Sequence, residues 1–340
     1  MPTEMTEREL LHELEPVAER LVERHLGSCK SWYPHEYVPW SLGRDYTDDD
    51  AWRAEEVPLP DEVRSALFVN LLTEDNLPYY LRTIDRMFGT SGVWREWSHR
   101  WVAEEARHAQ ALRDYALVTR ALEPRALEDG RMAQMAGGAV PEPETAIDGF
   151  VYVAMQELAT RLSHRNTAKA LQDALGDHPA AAAGYELLGR VATDENFHFL
   201  FYRDLTSAAL EMAPSLVVPA IERQVRGFEM PGTGIPGFKH HAAAIARAEI
   251  YNLGQHHDQV LQPVVVKWWR IEALQGLSAE AEQARELLLA QITRLGTVAA
   301  RLRERARQTR ARGRDILSKA PALAPKGRGP AGRGRVPRPT

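Results

Sequence analysis

With 340 residues, 44% of them hydrophobic and 26% charged, the chain has the apolar content for a large core and lies far from the composition of a disordered polypeptide. No apolar run approaches the roughly eighteen residues of a membrane-spanning helix, and the polar, acidic start MPTEMTERELLHELE is unlike a signal or transit peptide, so a cytoplasmic location is expected. Cys29 is the single cysteine, which excludes an internal disulfide or a thiolate cage and leaves oxygen and nitrogen as donors for any metal.

In chain order, apolar residues recur at three- and four-residue spacing over 5–26, 59–89, 91–120, 144–175, 178–212, 214–229, 239–273 (with a break near Gly254) and 279–317. That pattern predicts an all-α protein without strands. Gly89-Thr90-Ser91-Gly92 separates the second and third helices; Gly130 to Pro143, with Gly137-Gly138 and two prolines, reads as a connection, and 231–237 as a loop. Pro78 removes the backbone N–H that would bond the Glu74 carbonyl, so a kink or loosened turn is expected beside Glu74. Residues 301–340 hold 13 Lys and Arg against Glu304 and Asp315, so the net charge of −5 conceals a strongly acidic body. From 321 onward Pro, Gly and Arg dominate. The expected organisation is a single domain over 1–320 and a disordered basic tail over 321–340, an aid to solubility before it is a partner-binding arm.

The chemistry concentrates in Glu-x-x-His words, of which about one is expected by chance in a chain of this composition and four occur. Glu9 and His12 sit among Glu4, Glu7, Arg8 and Glu13 and read as a charged surface turn. Glu96 and Glu105 are nine positions apart on one helix and, at about 100° per residue, point to opposite sides. The Glu105 side carries Trp94, Trp101, Val102 and Leu112, the other Arg100, Arg107 and Asp114; Glu105 and His108 therefore face inward, and Glu96 and His99 outward. Glu195 and His198 form the fourth word. Glu74 and Glu157, the latter on a face made by Phe150, Val153, Ala154 and Leu158, complete a set of four Glu and two His from four helices. This is the donor set of a carboxylate-bridged di-iron centre inside a helical bundle. Burying an ionised carboxylate without a partner costs several kcal/mol; two divalent ions among four carboxylates and two neutral imidazoles bring the cluster near neutrality.

LLTEDNLPYY, EEARH, QELAT and DENFH stand in the order and approximate spacing of the soluble acyl-acyl-carrier-protein desaturases of plants and actinobacteria, and the chain resembles that family from about Ser31 to Tyr202. The resemblance implies a ferritin-like four-helix bundle with additional helices. It implies two iron ions per chain, held by Glu74, Glu105, His108, Glu157, Glu195 and His198. It further implies that Asp194 orients His108, that Trp32 in SWYP stands near this His-Asp pair on the electron route, and that Thr160 lies beside the oxygen-binding face. The plainer readings are a surface Asp194, an ordinarily packed Trp32 and a Thr160 bonded back to a helical carbonyl. The implied reaction is O2-dependent insertion of a cis double bond into an acyl chain carried on acyl carrier protein, with electrons from ferredoxin and an NADPH-linked reductase, in a homodimer. The chain departs from the plant-like pattern at Gln156, Asn196 and Phe197, positions expected to face away from the irons.

No GxGxxG nucleotide fingerprint is present, so the reductant has to be another protein, and neither a nucleic-acid partner nor membrane insertion is expected. One alternative is a non-catalytic ferritin-like iron-binding or scaffold protein. Another is a ribonucleotide reductase small subunit, disfavoured because the place of its radical tyrosine, four residues after the first His, is taken by Leu112. His240-His241 and His256-His257 read as surface or structural, since neighbours on a helix diverge by about 100°, and Cys29, with no visible base, as inert.

Overall fold

The computed structural model describes residues 5–319, and among them the chain is helical, without strands. The expected tail over 321–340 lies outside the described residues. Helix α1 (Glu7–Ser28) opens on a capping box: Thr6 accepts from the Glu9 amide at 3.3 Å and Glu9 returns a carboxylate to the Thr6 amide at 2.8 Å. That is the work of Glu9, and His12 beside it is exposed. A short turn, α2 (Pro34–Tyr37), and two 3₁₀ turns lead to α3 (Asp61–Glu74). The expected single helix over 59–89 is two, because α3 stops at Glu74 and α4 (Leu77–Phe88) begins with Pro78 in its first turn. Glu74 thus sits at a helix end, where its carbonyl has lost the partner Pro78 cannot supply.

Helix α5 (Gly92–Val118) is followed by α6 (Pro124–Gly137), which corrects the reading of residues from 130 as a plain connection. Gly130 weakens the helical signal there by about 1 kcal/mol against alanine. Tertiary packing explains it, since a Cβ would come 2.5 Å from the Phe68 ring. Gly138, at φ +60°, then closes α6 in the left-handed conformation glycine adopts freely. The long helices α7 (Ala146–Leu175) and α8 (Pro179–Met212) start on side-chain caps from Thr145 and His178. Then come α9 (Pro214–Arg226), α10 (Phe238–Arg247), α11 (Leu253–His256) continuing as a π-helix over His257–Trp268, and α12 (Ala279–Lys319). The break expected near Gly254 falls slightly earlier, where Glu249 takes φ +59°.

Helices α3, α5, α7 and α8 form a ferritin-like four-helix bundle, with α1 packed across α5 and α8, α9 across α7 and α8, and α10 over α3. Residues up to Ala300 make one compact unit. Two apolar clusters fill the bundle. One holds Trp97, Trp101, Phe150, Phe201 and Tyr202, the other Leu71, Leu112, Tyr115, Leu171 and Leu187. On α5 and α8 these clusters flank residues 104–108 and 194–198, so the chain's polar centre is sealed from water at both ends. No helix among the described residues is long and apolar enough to cross a membrane.

Candidate metal centre

All six sequence-predicted ligands converge in the bundle interior, none more than 5% exposed. Their donor atoms make two groups, Glu74, Glu105, His108 and Glu195, and Glu105, Glu157, Glu195 and His198, the atoms of each within 4.8 Å of one another. Glu105 and Glu195 belong to both groups, so each would offer a carboxylate to both ions of a pair held there. His108 Nδ1 lies 3.4 Å from Glu105 Oε2 and 3.2 Å from Glu195 Oε1, while His198 Nδ1 lies 2.9 Å from Glu105 Oε1 and 3.7 Å from Glu157 Oε2.

Both Nδ1 atoms, Glu105 Oε1, Glu157 Oε2 and Glu195 Oε1 are buried without a hydrogen-bond partner. Orphaned acceptors facing one another cost roughly 1–3 kcal/mol each, and a cation among them satisfies all at once. The residues fit a pair of hard or borderline divalent ions in an oxygen-rich, nitrogen-containing site. Left to themselves the carboxylates repel. Burial, with Glu195 and Glu74 close by, pushes Glu105 up to about 8, and burial with Glu195 pushes Glu157 well above the usual carboxylate range. Glu74 goes the other way: burial raises it, but the neighbouring His108 and His164 imidazoles, the latter at 2.8 Å, outweigh burial and hold it low.

The outer faces of the histidines are also held. Asp194 Oδ2 takes His108 Nε2 at 3.2 Å, the Trp32 indole N–H at 2.7 Å and Arg107 at 3.0 Å, and Arg190 closes on Oδ1. A carboxylate at Nε2 fixes the proton there and leaves the Nδ1 lone pair facing inward. Trp32 is buried, stacked 6.3 Å from His108 and under the Arg107 guanidinium at 4.6 Å. The Thr160 hydroxyl lies 3.0 Å from the Glu157 carbonyl, the bond back to its own helix that the plainer reading expects, and also 3.0 Å from Glu195 Oε2. Glu96 and His99 are exposed.

Sequence reasoning missed four residues of the centre. Glu104 Oε2 lies 2.9 Å from His198 Nε2 and 3.0 Å from His25 Nε2; His164 Nε2 lies 2.8 Å from Glu74 Oε1; and Trp101 Nε1 donates to Glu157 Oε1 at 3.0 Å. Two had a signal. Glu104 precedes Glu105 as Asp194 precedes Glu195, and His164 falls seven residues after Glu157 on the same helical face. His25, from α1, had none. It also stands 3.4 Å from Cys29 Sγ, a base invisible in sequence, although burial, with Glu104 and Asp194 adding to it, pushes that thiol up to about 12 and keeps it protonated.

Two apolar cavities lie near the centre, the first bordered by the ligand Glu74 and the second approaching it only through Trp101. One is lined by Val69, Glu74, Thr160, His164, Met230 and Tyr251, the other by Tyr80, Met87, Trp101, Tyr152 and Gln156. Gln156, expected to face away from the centre, thus borders the second cavity without being a ligand.

The family described as fatty acid desaturase matches residues 6–316 of the chain. DesA1 of Mycobacterium tuberculosis is 39% identical over 298 residues, 85% of this chain and 86% of that protein. The chloroplastic stearoyl-acyl-carrier-protein 9-desaturase of Spinacia oleracea is 30% identical over 327 residues, 91% of this chain and 79% of its own. The X-ray structure of DesA2 from Mycobacterium tuberculosis H37Rv superposes with a TM-score of 0.63 at 26% identity, covering 81% of this chain and 98% of that one.

Proposed function

The chain belongs to the fatty acid desaturase family, and from that premise we propose that it is an oxidoreductase that desaturates an acyl chain carried on acyl carrier protein, using O2 and two iron ions to insert a cis double bond. The observation that carries the reading is the sharing of Glu105 and Glu195 between two buried four-residue donor groups. Two irons held there supply the redox equivalents that let O2 take hydrogen from an unactivated methylene, which no acid or base in the chain can do. Glu74 and His108 complete one metal position, Glu157 and His198 the other.

The remaining residues shape the surroundings. The two apolar cavities offer a path for the acyl chain past Glu74 and Thr160 on one side and Trp101 on the other, and the flanking clusters keep water out. Thr160 places a hydroxyl against Glu195 on the first cavity wall, where a proton can be held or passed. Trp32 links the outer face to His108 through Asp194, a connection suited to electrons from ferredoxin and an NADPH-linked reductase. We take the domain to extend over 1–320, the protein to be a cytoplasmic homodimer, and the 321–340 tail to be a basic appendage; gel filtration tests the dimer.

The test of function is reconstitution with Fe(II), ferredoxin, reductase, NADPH and palmitoyl or stearoyl carrier protein, followed by mass spectrometry of the derivatised products. A monounsaturated chain is the expected result. Uptake of two irons with no alkene and no carrier-dependent O2 consumption refutes the desaturase reading and leaves a non-catalytic iron-binding protein.

A further inference from the structure

Arg100 to His108 and Arg190 to His198 share one frame: an arginine, a carboxylate four residues on, the glutamate ligand next, and the histidine three further. The structure turns this repeat into two matching arms outside the metal centre. In each, the arginine one turn earlier on the same helix grips the carboxylate, Arg190 on Asp194 and Arg100 on Glu104, the latter at 2.5 Å. In each, that carboxylate crosses to the other helix and meets the Nε2 of a metal-facing histidine, Asp194 at His108 and Glu104 at His198. And in each, a ring nitrogen from outside the bundle completes it: the Trp32 indole at 2.7 Å, the His25 imidazole at 3.0 Å.

We propose that His25 and Glu104 are a positioning pair for His198, an inference that rests on the two-metal reading above. Glu104 and His25 are buried, at 2% and 4% exposure, and Glu104 Oε2 faces both imidazole nitrogens. An ionised carboxylate oxygen only accepts, so both rings present N–H at Nε2 and His198 keeps its Nδ1 lone pair toward Glu105 and Glu157. His25 is what holds Oε2 inward. Without it only the His198 N–H itself opposes the pull of Arg100, whose side chain is 37% exposed, and the carboxylate is freer to turn toward that outer partner. The metal position built on His198 then loses its orientation, while the one built on His108 keeps Asp194 and Trp32.

The test is an anaerobic Co(II) titration of the full chain, wild type against His25→Leu and His25→Gln, with proton NMR of the loaded proteins. Wild type is expected to take two Co(II) and to show two exchangeable, paramagnetically shifted imidazole N–H signals. His25→Leu should bind the first Co(II) normally and the second about 10–100-fold more weakly, with only the His198 signal shifted or lost. His25→Gln, whose amide can donate to Glu104, should recover most of both. Equal weakening of both positions that glutamine does not restore overturns the proposal and reduces His25 to packing against Trp97, whose ring lies 5.0 Å away. Wild-type affinity and unchanged signals in His25→Leu overturn it as well. A wild-type chain that takes up no Co(II) overturns the two-metal reading and this pairing with it.

Discussion

Replacing Glu105 by glutamine should make the metal-free protein more stable and the metal-binding protein worse, and both magnitudes follow from the site. The Glu105 carboxyl titrates at about 8 in the folded chain against 4.5 for the free side chain, because it is buried beside Glu195 and Glu74. A folded pKa above the unfolded one means that folding binds a proton between those values. Stability is therefore unaffected below about pH 4.5 and declines as pH rises toward 8. At pH 7 the cost is 2.5 units at about 1.4 kcal/mol each, on the order of 3 kcal/mol. Glutamine has nearly the same shape and no charge, so Glu105→Gln should recover most of that, raising the melting temperature by several degrees. The same change removes a ligand from both donor groups. Structural zinc sites of four ligands are worth about 10–16 kcal/mol, and on that scale losing one ligand should weaken metal binding by at least about 100-fold at each position. The assay is chemical denaturation in EDTA from pH 4.5 to 8, paired with anaerobic Fe(II) titration. A variant less stable than wild type at pH 7, or a gain that does not shrink toward pH 4.5, would show that the carboxylates are not in mutual conflict and would refute the reasoning.

Three further outcomes are expected. Metal uptake should release protons, since Glu105 and Glu157 are both held above the usual carboxylate range, and affinity should fall as pH drops from 8 to 6; pH-stat titration with Co(II) measures it, and uptake without proton release contradicts the assignment. His256, stacked on Phe228 at 4.4 Å and bonded to the Tyr251 hydroxyl at 2.8 Å, is pushed by burial down to about 4. A depressed histidine leaves the unfolded chain binding the extra proton, so up to about 3 kcal/mol of stability should be lost between pH 6.5 and 4; His256→Phe should flatten that part of the denaturation profile, and an unchanged slope counts against it. Gly138→Ala should destabilise the chain by roughly 1–2 kcal/mol by thermal melting, because φ is +60° and a Cβ would meet the Tyr79 ring at 2.5 Å; a neutral result would mean that α6 ends differently.

What the sequence determined by itself is whatever repeats locally. Helical period placed nearly every long segment, Pro78 marked the break beside Glu74, and spacing on α5 separated Glu105 and His108 from Glu96 and His99 without any knowledge of neighbours. Helix α6 escaped because Gly130 and Gly137 lower local propensity, and only the Phe68 ring explains why a glycine stands there. Tertiary structure alone decided which groups stand behind the ligands. The repeat of an acidic residue before Glu105 and Glu195 and the seven-residue step from Glu157 to His164 mark Glu104 and His164 as candidates but do not say what they touch, and His25 reaches Glu104 from a helix 79 residues away. A carboxylate's role depends on what lies within about 3 Å of it, and distances between helices are set by the packing of their apolar faces, which no single stretch of chain contains.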